Sequence, residues 1–160
     1  MLKLNEKSRH ICQSTWLAFL LQRIKYMTKV KIDFTSKIIQ GKDSETFKKK
    51  ADGELIESGG NTRVSYLEDG KVPVKILIRE GNVIIRRGTD RNNYSQLHFV
   101  VGERKDCRYV AQGYQMDLQS TTEFIKFFPK NNGSSELQIE YNLYSGLYLV
   151  GNYAVTLIFT

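Results

Sequence analysis

The sequence predicts an all-β domain, in which about eight to ten antiparallel strands close on themselves as a barrel. Three observations carry that prediction. Turn signals recur at short intervals, at Gly59-Gly60-Asn61, Asp69-Gly70, Gly81-Asn82, Asp90 to Asn93, Gly102, Gly113, Asn131-Asn132-Gly133, Gly146 and Gly151-Asn152. Apolar residues alternate with polar ones at period two between them, most cleanly near the end of the chain. From Lys29 to Thr160 no segment carries a convincing helical pattern.

Each element follows from its own pattern. Val30, Ile32 and Phe34 alternate with Lys29, Lys31 and Asp33, a half-buried strand reaching Gln40. Glu45 to Ser58 is a second strand, in which Gly53 suggests a bulge or bend and Lys48-Lys49-Lys50 a solvated edge that resists strand addition. Asn61 to Asp69 carries Val64 and Tyr66 on one face. Pro73 opens the next strand at a tolerated position, and Val74, Ile76 and Ile78 follow on one face. A short turn at Glu80-Gly81-Asn82 sends Val83 to Arg87 back against it. Tyr94 to Val101 and the short Cys107 to Gln112 come next. Tyr114 to Phe128 is long, and Thr121-Thr122 marks a corner within it. Leu137, Ile139, Tyr141 and Leu143 face one way in Ser135 to Tyr144, as do Tyr153, Val155, Leu157 and Phe159 in Leu147 to Thr160.

A chain of 160 residues is one domain by length, large enough to bury a core without disulfide or metal staples. Its formal charge of +7 is unevenly placed: residues 1–26 hold +4 and the remaining 134 only +3, with both signs interspersed. A mildly basic strand protein is therefore favoured over a phosphate-binding face, and nucleic acid ranks last among the partners considered. Cys12 and Cys107 have no companions at metal-ligand spacing, so no zinc site, redox pair or disulfide framework is read from them. The expected compartment is the reducing cytoplasm.

Residues 1–26 fall outside the strand pattern. The run Trp16-Leu17-Ala18-Phe19-Leu20-Leu21 is far short of the roughly 20 apolar residues that span a bilayer, and no cleavage site follows it. Leu17, Leu20, Leu21 and Ile24 would share one face of a surface helix. The favoured expectation is that translation begins at Met27, since Gln22-Arg23-Ile24 can be encoded by a purine run resembling a ribosome-binding site. The expected domain is then 27–160, with 1–26 as an extension.

From about Gly53 to Phe159 the chain resembles the YwiB-like family of uncharacterised bacterial proteins. The resemblance rests on Val64-Ser65-Tyr66-Leu67-Glu68, Gly81 to Gly88, Phe99-Val100-Val101-Gly102, Tyr109 with Gly113, Leu118 to Thr122, and Leu137 to Tyr141. The interval from Tyr109 to Gly113 is one residue shorter than usual for that family. What the resemblance implies is a calycin-type barrel, related in type to the lipocalins, and no activity. The chain from Lys29 onward has no tryptophan and so lacks the Gly-x-Trp signature of a true lipocalin.

No motif points to a reaction. His98 is the only histidine after residue 26, and a hydrogen-bonded structural role is favoured for it over haem or metal ligation. No Gly-x-Ser-x-Gly elbow, carboxylate pair or phosphate loop is present, and neither a catalytic residue nor a cofactor is expected. The candidate site is a polar cluster inside the barrel. Tyr66 and Tyr141 fall at core parity, where a phenol must find a partner. Arg86 shares a face with Ile84; pointing inward, it would need Glu68 or an anionic ligand. The expected function is a non-catalytic binding module for a small amphipathic or anionic ligand. The alternative is a structural or protein-interaction barrel whose interior is filled. Oligomeric state is left open.

Overall fold

The computed structural model describes residues 26–160. The expectations for residues 1–25, including the surface helix and the upstream untranslated segment, lie outside the described residues. Ten strands follow one another: β1 (Tyr26–Gln40), β2 (Asp43–Ser58), β3 (Asn61–Glu68), β4 (Val72–Arg79), β5 (Asn82–Asp90), β6 (Asn93–Val100), β7 (Arg104–Ala111), β8 (Tyr114–Pro129), β9 (Ser135–Ser145) and β10 (Tyr148–Phe159). Each pairs antiparallel with the next, and β1 pairs with β10 to close the barrel. The calycin-like closed barrel expected from the sequence is the observed architecture. β1 begins at Tyr26, one residue before the expected domain boundary, and pairs from that residue with Glu57.

Alternation decides which side chains fill the interior. Ile32, Val64, Val74, Ile76, Ile78, Val83, Phe99, Leu137, Ile139, Leu157 and Phe159 all point inward and are buried. Burying such side chains contributes roughly 1.5–3 kcal/mol each before the entropy cost of ordering them, so the pattern fixes the register strand by strand. A slip of one residue in β9 would expose Leu137, Ile139 and Leu143 and bury Gln138 and Glu140.

Two sequence expectations need adjustment. Gly53 causes no bulge, since β2 stays in register with β1 through it and with β3 up to it. Glycine is required there by close approach: a Cβ would meet Ile32 Cδ1 and the Ser65 carbonyl oxygen, each at 2.7 Å. Arg79 and Asn82 pair directly, so the turn after β4 is two residues long, Glu80-Gly81, with Asn82 already in β5. The corner in β8 is present, as a register shift between Thr122 and Phe124. The lysine run does stand on an edge, because β3 pairs only with Gly53–Ser58 of β2 and leaves residues 43–52 with β1 as their one strand neighbour.

The barrel has two unlike ends. The hairpins β1–β2, β3–β4, β5–β6, β7–β8 and β9–β10 gather at one end, called here the hairpin end. At the other, inward residues such as Thr62, Ile78, Val83, Phe99, Leu137 and Phe159 are sealed from solvent. The β8–β9 loop adds a latch there, with Ser134 Oγ donating to Asn132 Oδ1 at 2.6 Å and the half-exposed Lys130 paired with the carboxylate of buried Glu136. No helix among the described residues is long and apolar enough to cross a membrane. The outward rows carry Lys, Arg and Glu, where a membrane barrel would carry an apolar band.

Candidate functional site

The hairpin end is where inward-pointing side chains meet solvent. Strand register places Gly53, Tyr66, Val74, Arg87, Ser95, Tyr109 and Met116 in one continuous inward row across β2 to β8. Along that row burial decays: Val74 is 2% exposed, Tyr109 38% and Met116 47%. Phe47, inward on β2 beside Lys49, is exposed as well. An aromatic and thioether rim thus surrounds a polar floor.

Glu68 organises that floor. Its carboxylate, mostly shielded from water, accepts from Lys49 Nζ at 2.6 Å through Oε1 and from Arg87 Nε through Oε2. Lys49 also reaches Asp69 Oδ2 at 2.7 Å. Burial opposes the charge on Glu68, but the hydrogen bonds and positive charges of Lys49 and Arg87 outweigh it and hold the carboxyl below its ordinary range. Lys49 is shifted upward, first by its bond to Asp69 and then by Glu68. Tyr66 lies behind this group. Burial, and after it the charge of Glu68, pushes its phenol up to about 12, against smaller opposing effects of Arg87 and Lys49.

Of the residues the sequence singles out, Tyr66 and Glu68 come together here, and Arg86 and Tyr141 do not join them. Arg86 points outward and donates from Nε to Gln96 Oε1 at 2.7 Å on the barrel's outer face. The inward cation is its neighbour Arg87. The physical reason is hairpin parity: the two-residue turn sets Ile78 opposite Val83 and Val74 opposite Arg87, so Val83, Ile85 and Arg87 share the buried face of β4. Tyr141 sits deeper, stacked on Tyr153 with ring centroids 4.9 Å apart and tilted against Phe99 at 4.5 Å. Burial, then the proximity of Tyr153 and Cys107, drives its phenol far above the ordinary range. His98 is half-buried on the outer face, its Nε2 3.2 Å from Asn82 Oδ1. Burial and then Lys105 lower its pKa, against a weaker upward pull from Glu103.

Lys49, Arg87, Ser95 and Tyr109 are the members that the strand pattern alone does not single out. Val83 to Ile85 is apolar at both parities, which hides the inward face, and only the turn length reveals it. Arg87, Ser95 and Tyr109, with Val72 and Gly88, line a pocket of about 160 Å³ at the mouth. Gly88 shapes it. Its φ is +150°, a Cβ there would come within 2.4 Å of the Asn93 carbonyl oxygen, and the register shifts between Gly88 and Asp90. Among the described residues no group of three or more His, Cys, Asp or Glu side chains is arranged to hold a metal ion.

Chemically the arrangement can hold an anion. The Arg87 guanidinium gives Nε to Glu68 and the residue lines the pocket, and a guanidinium fork suits carboxylate or phosphate.

Comparison with solved structures returns the crystal structure of YwiB protein from Bacillus subtilis, with a TM-score of 0.71 and 18% identity, covering 83% of this chain and 91% of that one. At that identity the likeness establishes the barrel and nothing finer. No curated protein matches the chain. Residues 32–157 match the family model described as "Domain of unknown function (DUF1934)", which spans the barrel from β1 to β10 and brings no activity with it. With the ten-strand closed barrel and the YwiB likeness, that match identifies the chain as a member of the DUF1934 family.

Proposed function

We propose that this barrel is a non-catalytic binding module that takes a small amphipathic anion at its hairpin end. The observation that carries the reading is Arg87. It is an inward arginine that is paired through Nε with Glu68 and lines a pocket beside Ser95 and Tyr109. A pocket of about 160 Å³ suits a headgroup rather than a whole ligand, since pockets for drug-sized molecules run from roughly 300 Å³ upward. The apolar remainder of the molecule would lie over Tyr109, Met116 and Phe47, whose exposure is otherwise a cost. The open mouth and neutral floor of two cations and two carboxylates favour a singly charged headgroup over a polyanion.

A second reading, a filled barrel serving a structural or protein-interaction role, draws on the interior itself. Ile32, Val64, Val83, Phe99, Leu137, Ile139, Leu157 and Phe159 leave the middle of the barrel packed, and Glu68 satisfies its cations without a guest. Native mass spectrometry of freshly purified protein separates the two. A co-purifying anion of low mass, lost in Arg87→Met and kept in Arg86→Met, supports the binding module. A clean apo mass in wild-type protein across several preparations supports the filled barrel.

A further inference from the structure

The outward side of β2 to β6 carries a feature unrelated to the barrel mouth. Register aligns Ile56, Arg63, Leu77, Ile84 and His98 in one row across five strands. The adjacent row runs from Glu54 through Ser65, Lys75, Arg86, Gln96 and Arg108 to Asp117. Ile56, Leu77 and Ile84 form the floor, and Arg63, Lys75 and Arg86 the rim, of an open trough of about 360 Å³. The row's acids, Glu54 and Asp117, stand at its two ends, away from the cationic centre.

Two observations mark this face as built for a partner. Lys75 and Arg86 are directly opposed on neighbouring strands, and like charges so placed destabilise a sheet. Arg63, Lys75 and Arg86 are all exposed, and among the described residues none of the three is in an ion pair. Arg86 has the neutral Gln96 as a hydrogen-bond partner, but among the described residues no carboxylate offsets the repulsion. The half-buried aliphatic floor beside them offers apolar contact at the same place.

We propose that the trough docks an acidic segment of a partner protein, an extended peptide in which carboxylates alternate with aliphatic side chains. Carboxylates meet Arg63, Lys75 and Arg86, and aliphatic groups cover Leu77 and Ile84. The floor favours a peptide over a nucleic acid, because it has no aromatic side chain on which a base could stack, and His98 at the row's end is bonded to Asn82. From Ile56 to Ile84 is three strand spacings, about 14 Å, the reach of an extended peptide of about four to five residues. Charge complementarity would set on-rate and register, and the aliphatic contacts would hold the complex.

The test is fluorescence anisotropy of the full chain with a labelled peptide of alternating Glu and Leu. A Glu and Ser peptide and a labelled oligo-uridylate serve as the competing probes. The Glu-Leu peptide should bind saturably, weaken with salt, and bind about tenfold more tightly than the Glu-Ser peptide. Lys75→Glu combined with Arg86→Glu should lower its affinity about tenfold or more, while Lys37→Met, at an exposed position on β1, leaves it unchanged. Lys75→Glu alone also reports on folding, since it sets a carboxylate opposite Arg86 and should leave the melting temperature equal or higher. Absence of saturable binding, equal binding by the double variant, or tighter binding of oligo-uridylate through the same residues would each overturn the proposal.

Discussion

Adjacent arginines on one strand meet opposite physical conditions. Arg86 stands in water against Gln96, whereas Arg87 turns inward to the shielded carboxylate of Glu68. Arg86→Met should therefore change stability by no more than about 0.5 kcal/mol, the usual range for an exposed position. Arg87→Met should cost about 1 kcal/mol by urea denaturation, because Glu68 keeps Lys49 and the Arg87 side chain is half-exposed. Equal losses for the two variants would remove the distinction. Glu68 has a folded pKa below its unfolded one, so its contribution is present above the unfolded carboxylate range and is lost as pH falls through the folded value. Tyr66 acts at the other end of the scale. With a folded pKa of about 12 against an ordinary 10.0, its neutral form is favoured in the barrel. Stability should be intact below pH 10, fall as pH rises toward 12, and lose at most about 3 kcal/mol. Ultraviolet titration of the phenolate should show one late-ionising tyrosine fewer in Tyr66→Phe than in wild type, where burial also raises Tyr141 and Tyr153.

Strand patterns of period two read out each element, and their success and failure have the same cause. Where one face is apolar and the other polar, as in Ser135–Ser145, the sequence determines the inward residues directly. Where both faces are apolar, as in Val83-Ile84-Ile85, parity is undetermined locally and is set by the partner strand through a two-residue turn. The candidate site straddles that ambiguity, which is why Tyr66 and Glu68 were legible and Arg87 was not. Tyr109 was hidden differently: its inward role depends on pairing with Ser95 across a loop, which no local pattern encodes. Gly53 shows the same limit, a glycine visible in the sequence whose reason lies on two neighbouring strands. Gly53→Ala puts a methyl group 2.7 Å from the Ser65 carbonyl oxygen, a backbone atom that cannot swing away. The variant should lose about 1–3 kcal/mol in urea denaturation with its m-value unchanged. A neutral result would mean that β2 and β3 can separate there without loss.

A closed barrel has no free ends in principle, yet its seams differ in strength. β1 runs in register with β2 from Tyr26 to Gln40, whereas β6 and β7 pair only through Tyr94–Gln96 against Arg108–Val110. Beyond that, β6 leans on β8 instead: Ser120 Oγ donates to the His98 carbonyl at 2.6 Å, and the Gly102 amide donates to the Thr122 carbonyl at 3.0 Å. Among the described residues Thr122 Oγ1 is buried without a partner at this crossing, a cost at the place where the sheet is thinnest. One side-chain bond and one isolated backbone bond hold the wall there, where the β6–β7 ladder does not reach. Local opening should accordingly start at this seam, because exchange protection follows the backbone ladder and the packing behind it. Hydrogen exchange read by mass spectrometry should find the amides of residues 97–100 and 104–106 exchanging ahead of those of β9 and β10. Ser120→Ala removes the side-chain tie and should speed exchange at residues 97–100 about tenfold, equivalent to about 1.4 kcal/mol, while β1–β2 stays unchanged. Uniform exchange around the barrel in both proteins would mean that the wall opens as one unit and that the seam carries no weakness of its own.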